Sequence, residues 1–223
     1  MMCGRFTLTV KPEYLIDLFE IAMFPDDYEE RYNIAPTQPI LAAVQSKEGL
    51  RAGFMKWGLI PSWVKVPKDF KPLINARSET LDEKVSFKHL LARRRCIIFA
   101  DSFYEWKTVN HKKQPYRIMK ADEKPFAFAG LWDRHAQLPG SGVTCTILTT
   151  EANEMISDIH NRMPVILDNK LTIEKWLNSE NSFEEIRDIL SPFDQDKMKL
   201  YPVSSIVNSI KNNGQDCILP LVL

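Results

Sequence analysis

From Ile40 to Thr149 the apolar residues fall in short runs rich in β-branched and aromatic side chains, each bounded by a charged or turn-forming cluster. This pattern predicts strands at Ile40–Val44, Ala52–Trp57, Cys96–Ala100, Tyr104–Lys107, Tyr116–Met119, Pro125–Leu131 and Val143–Thr149. Lys47-Glu48-Gly49, Asn110–Lys113 and Ala121–Lys124 fall where hairpin connections are needed. Before this region, Pro12–Phe19 carries apolar residues at Tyr14, Leu15, Leu18 and Phe19, the spacing of one helical face, with a helix-compatible proline at its start. After it, helices are predicted over Glu151–Ile159 with Thr150 as cap, over Thr172–Leu177, and over Ser182–Leu190, which opens with the capping-box pattern Ser182-Phe183-Glu184-Glu185. Met163–Leu167 and Leu200–Val203 read as further strands. Strands come first and helices enter late without βαβ alternation. The expected fold class is therefore α+β, a single domain over residues 1–223 with a curved, barrel-like, mostly antiparallel or mixed sheet flanked by helices.

Composition narrows the function classes. With 44% hydrophobic and 26% charged residues, the chain has the profile of an ordinary soluble protein. No linker or repeat divides it, its apolar runs are too short to span a bilayer, and its start lacks a basic-then-apolar signal pattern, so a cytoplasmic or nuclear address is expected. The four cysteines, Cys3, Cys96, Cys145 and Cys217, form no CxxC pair, which argues for reduced thiols and against a structural zinc site. No Gly-rich phosphate loop, HExxH or nucleophile-elbow pattern is present, so no metal or cofactor is expected. The 29 basic residues balance 29 acidic ones, and any nucleic-acid site must be a local patch.

Several segments are unlike routine core or surface. Cys3 opens Cys3-Gly4-Arg5-Phe6, where removal of the leading methionines makes it the amino-terminal residue. Its α-amine (reference pKa about 7.7–8.0) and its thiol (about 8.5) could then trap an aldehyde together as a thiazolidine. Packing as a small apolar residue is the alternative. Arg31–Thr37 and Trp57–Trp63 read as turn-forming recognition loops, although tryptophans such as Trp57 and Trp63 more often serve core or rim packing than base stacking. Asn75-Ala76-Arg77 and His160-Asn161-Arg162 each place an amide or imidazole two residues before an arginine, on one face of an extended backbone. Asn75 could instead cap a turn, Arg77 pair with Glu79, and His160 end a helix. Glu105, between Tyr104 and Trp106, is either desolvated with a raised pKa or turned outward. Arg93-Arg94-Arg95, just before an apolar strand, reads as a solvated edge.

Taken in order, Met2–Phe6, Arg31–Pro36, Trp57–Trp63, Asn75–Glu79, Phe103–Lys107 and Ile159–Pro164 closely resemble the SRAP family (SOS-response-associated peptidase), and Tyr201-Pro202-Val203-Ser204 fits as well. The resemblance implies one α+β domain that crosslinks itself to abasic sites in single-stranded DNA, shielding the lesion, and that works on the nucleoid when engaged. It implies Cys3 as nucleophile, Asn75 as the amide beside the adduct, Glu105 as the acidic catalytic residue and His160 as acid/base. It further implies Arg77 and Arg162 as phosphate ligands, Arg5, Thr149 and Asn33 as additional DNA contacts, and Trp63 and Pro36 as stacking or wedging residues. The family pattern begins Met-Cys, whereas this sequence begins Met1-Met2-Cys3, so the crosslinking chemistry requires that Cys3 become terminal. Two readings compete with it. One is a cysteine-type peptidase, acting on its own leader or on other proteins, with Cys3 and His160 as its pair; the other is a noncovalent single-strand binder in which Cys3 is merely packed.

Overall fold

The computed structural model describes residues 3–221. In chain order its elements are β1 (Phe6–Leu8), α1 (Pro12–Phe19), β2 (Ile21–Met23), β3 (Arg31–Ile34), β4 (Pro39–Ser46), β5 (Gly49–Trp57), β6 (Asn75–Arg77), α2 (Val85–Lys88), β7 (Arg95–Ala100), β8 (Ser102–Val109), β9 (Lys112–Lys120), β10 (Phe126–Arg134), β11 (Val143–Glu151), α3 (Glu154–Ser157), β12 (Arg162–Pro164), β13 (Ile166–Leu167), α4 (Lys170–Leu177) and β14 (Met198–Pro202). The α+β class holds. One sheet runs β14-β9-β8-β1-β3, and a larger one β12-β11-β10-β7-β4-β5-β2. In the larger sheet β5 also pairs in parallel with β11, Lys56 opposite Thr144 and Trp57 opposite Cys145, so the strands from β11 round to β5 close into a ring.

Local chemistry sets the hairpins. Lys47 and Glu48 turn β4 into β5, and Gly49 takes a φ of +118° that side chains resist. Asn110 and His111, both with positive φ, form the two-residue turn from β8 to β9, the backbone twist that tight hairpins favour. Ring closure has its own demand: a Cβ on Gly130 of β10 would lie 2.2 Å from Ile98 Cδ1 and 2.9 Å from the Thr146 carbonyl oxygen, so only glycine lets the strands approach there. Phe6 joins the two sheets, its ring edge-on to Trp57 at 5.3 Å and to Phe128 at 5.7 Å.

Four expectations change. Ser182–Leu190 is not an α-helix. The Ser182–Glu185 capping box forms, with the Ser182 N–H donating to Glu185 Oε2 at 2.7 Å, but the chain continues in turns and a 3-10 helix over Arg187–Leu190. Arg95 holds the Asn181 carbonyl at one end, Pro192 restricts Ser191 at the other, and too few residues remain to propagate a helix. The helix predicted at Glu151–Ile159 shrinks to α3, because Thr150 and Glu151 pair with β12 and Asn153 supplies the cap, accepting from Ile156 N–H at 3.0 Å. Met163–Leu167 divides into β12 and β13, which pair with different strands. Arg31–Ile34 is a strand rather than part of a turn, with positive φ confined to Thr37.

Candidate functional site

Strand pairing delivers Cys3 to Glu105. β1 lies antiparallel to β8, Phe6 opposite Phe103, and Tyr104 N–H donates to the Arg5 carbonyl at 2.9 Å, so the residues before Phe6 run alongside those after Phe103. Cys3 is buried, and its backbone N–H hydrogen-bonds to the Glu105 carboxylate. From the other side β6 lies parallel to β11, Asn75 opposite Ile147, which brings Asn75 Nδ2 to donate to the Cys3 carbonyl at 3.4 Å. Asn75 Oδ1 and Glu105 Oε1 are both buried with no hydrogen-bond partner among the described residues.

The environment sets protonation. Burial raises the Glu105 pKa to about 8, although the Cys3 and Trp106 backbone N–H groups pull it down. The Cys3 thiol is pushed up by burial and then by the nearby Glu105 charge, and so stays protonated near neutrality. His160 follows α3, and Lys107 Nζ lies 3.8 Å from Asp158, which faces the Glu105 strand toward the His160 segment. His160 Nδ1 lies 3.1 Å from the Arg162 backbone nitrogen and 3.3 Å from the Arg162 carbonyl oxygen, so a neutral ring with its proton on Nε2 can accept from the N–H and the protonated ring can donate to the carbonyl. Burial lowers its pKa from 6.5, helped by the Lys113 and Arg162 charges. Lys113, near the tip of the β8–β9 hairpin, also lowers the Glu105 pKa. Sequence reasoning missed this lysine, which sits in a polar turn like any surface cation.

Among the remaining candidates, Arg77 is exposed, opposite Thr149 in the β6–β11 register. Trp63 is 54% exposed, and Pro36 is half-buried. The rest are engaged inside the protein. Arg162 donates to both Glu79 carboxylate oxygens at 2.8 Å and to the Thr149 carbonyl at 2.6 Å, with only its Nε left without a partner. Glu79 therefore pairs with Arg162 rather than with Arg77. The Thr149 side chain is fully buried, which removes it from direct ligand contact. Asn33 is buried as well, its Nδ2 donating to the carbonyls of Val207, Ser209 and Asn212 at 3.2, 3.0 and 2.7 Å. Its Oδ1 accepts from Arg5 Nη1 at 2.7 Å, and Arg5 also donates to the Val207 carbonyl at 2.6 Å. Asn33 and Arg5 therefore clamp the C-terminal segment onto β1 and β3. No group of three potential metal ligands occurs among the described residues, and no helix among them is long and apolar enough to cross a membrane.

The profile of SOS response associated peptidase (SRAP) matches residues 2–210. The chain belongs to the SRAP family. Among curated relatives, it is 46% identical over 222 residues to the abasic site processing protein YoqW of Bacillus subtilis, covering 97% of this chain and 99% of that one. It is 34% identical to the abasic site processing protein YedK of Escherichia coli, covering 99% and 100%. It is 33% identical to the abasic site processing protein HMCES of Xenopus tropicalis, covering 100% and 79%. A crystal structure of a protein from Bacteroides thetaiotaomicron superposes with a TM-score of 0.83 at 26% identity, covering 99% and 100%. In this SRAP chain, Cys3 meets Asn75 on one side and Glu105 on the other, while His160 bonds to Arg162 rather than to any of the three.

Proposed function

We propose that this SRAP protein processes abasic sites in single-stranded DNA by forming a covalent thiazolidine with the lesion through Cys3, once the leading methionines are removed. Met1 and Met2 lie outside the described residues. The reading is carried by one observation: the Cys3 backbone nitrogen lies against a carboxyl whose pKa is about 8. That nitrogen is the α-amine of the processed protein, and a carboxyl poised near neutrality suits proton transfer to and from it.

The steps balance. The open-chain abasic sugar exposes an aldehyde at C1′, and the neutral α-amine adds to it, its proton passing to Glu105. The second N–H proton passes to the alkoxide oxygen, the resulting hydroxyl takes the first proton back from Glu105 and leaves as water, and an imine remains. The Cys3 sulfur then adds to the imine carbon while its proton passes to the nitrogen, closing the five-membered ring, with one water released overall. Neutral His160, with Nε2–H free, can donate to the sugar ring oxygen as the ring opens. Asn75 can hold the Cys3 carbonyl through Nδ2 and accept from the adduct through Oδ1. Exposed Arg77 suits a flanking phosphate. The raised thiol pKa favours this amine-first order over a peptidase mechanism, which needs the thiolate at the outset.

The test is incubation of the processed protein with an abasic single-stranded oligonucleotide, followed by denaturing electrophoresis and intact mass. A product of protein plus DNA minus one water is expected. Acetylating the α-amine should abolish it. A covalent product from the acetylated protein, or none from the free amine, overturns the proposal.

A further inference from the structure

Between Leu59 and Leu73 the chain leaves the sheet and returns beside itself, the two residues exchanging backbone hydrogen bonds of 2.9 and 3.0 Å. The excursion is pinned to β10, to β11 and to the turn between them. Ile60 N–H donates to Thr144 Oγ1 at 3.0 Å, Ser62 N–H donates to Asp133 Oδ2 at 2.7 Å, and His135 Nε2 donates to the Val64 carbonyl at 2.7 Å. Its outer surface is open. Trp63 is more than half exposed and rests edge-on against Phe70, with ring centroids 6.2 Å apart. Lys65, Lys68 and Lys71 are exposed, and none of the three has a salt bridge or side-chain hydrogen bond among the described residues. Asp69 is the one acid between them. In a chain with no net charge, a pinned loop holding three unpaired lysines beside an open indole is a local anion track. Two residues after Leu73 comes Asn75, at the Cys3 site.

We infer that Lys65, Lys68 and Lys71 bind the phosphates of the nucleic-acid strand running out from the Cys3 site, beside Trp63, the stacking residue that the family resemblance implies. The inference rests on the function proposed above, because it takes the strand as already anchored there. The partner is a single strand, since stacking on the open indole needs a base face that a duplex keeps covered. Pinning matters because the backbone that carries the lysines is fixed before binding and loses little freedom when their side chains meet the phosphates.

The test uses the full chain with an unlesioned single-stranded oligonucleotide and a blunt duplex of equal length, so that binding is read without any covalent step. Affinity is measured against salt concentration for wild type, for K65Q/K68Q/K71Q, and for Trp63→Ala. On the single strand the triple variant should lower the slope of log K against log salt by about 2, at about 0.7 per phosphate contact, which is about 100-fold in affinity near 0.1 M salt. Trp63→Ala should weaken single-strand binding about tenfold with the slope unchanged. An unchanged slope in the triple variant, or a change confined to the duplex, overturns the inference. Failure of the proposed function reads separately, as absence of covalent product from wild-type protein on the abasic strand.

Discussion

Replacing Glu105 with Gln tests the electrostatics of the site without removing its shape. Glu105 is 3% exposed, and its pKa is raised by burial from 4.5 to about 8. Between these values the folded protein holds a proton that the unfolded chain has released, so the Glu105 contribution to stability is greatest below pH 4.5 and is lost as pH rises to about 8. At about 1.4 kcal/mol per pH unit, the whole window is worth about 5 kcal/mol. Glutamine does not titrate and can still accept from the Cys3 N–H. Urea unfolding of both proteins from pH 4.5 to pH 9 should therefore show Glu105→Gln gaining on wild type by up to that amount, with the gap levelling off above pH 8. Parallel stability profiles would refute the reasoning, because they would mean that the carboxyl is solvated in the folded state. The same group bears on the chemistry. Near pH 7 roughly nine in ten Glu105 side chains hold the proton, so the crosslinking rate of wild type should climb toward pH 8, and the variant should lose the part of that rise that belongs to Glu105.

Asn75→Ala should slow crosslinking about tenfold or more while leaving the unfolding midpoint almost unmoved, since its one bond to the Cys3 carbonyl is long at 3.4 Å; an unchanged rate would remove Asn75 from the chemistry. Asn33→Ala removes one donor from each of three carbonyls and one acceptor from Arg5, four hydrogen bonds in all, and should cost about 2–4 kcal/mol in urea unfolding, with faster amide exchange over residues 205–217; a loss below about 0.5 kcal/mol would deny the clamp. An NMR titration of His160 should give a midpoint below 6.5, and a midpoint at or above that value would mean that the ring is not desolvated in the folded protein. Burial raises the Glu79 pKa, but the Arg162 hydrogen bond and charge outweigh it and leave it below 4.5. Wild type should therefore lose stability as pH falls through that lowered value, a loss absent in Glu79→Gln, and coincident acid profiles would show that the pair contributes nothing.

The sequence by itself determined the elements whose signal is local. α1 matches its predicted bounds because a proline start and a one-sided apolar pattern need no distant partner. The strands of the ring and the turns at Gly49 and Asn110-His111 likewise follow from β-branched runs and turn chemistry. Motif order named Cys3, Asn75, Glu105 and His160 as candidates, although nothing local says that Cys3 meets both Asn75 and Glu105. Only the tertiary structure decided that, because strands as short as Phe6–Leu8 and Asn75–Arg77 carry too few residues for a periodic signal and exist only by pairing with β8 and β11. It also decided which cations are spent. Arg162 and Arg77 look equivalent in sequence, yet a bidentate carboxylate buries the first and leaves the second in solvent. Asn33, on a stretch read as a recognition loop, became an internal clamp because the C-terminal segment folds back over it and its carbonyls need donors. Hydrophobic pattern and turn residues are short-range instructions; which polar group meets which is fixed only when strands far apart in the chain come into register.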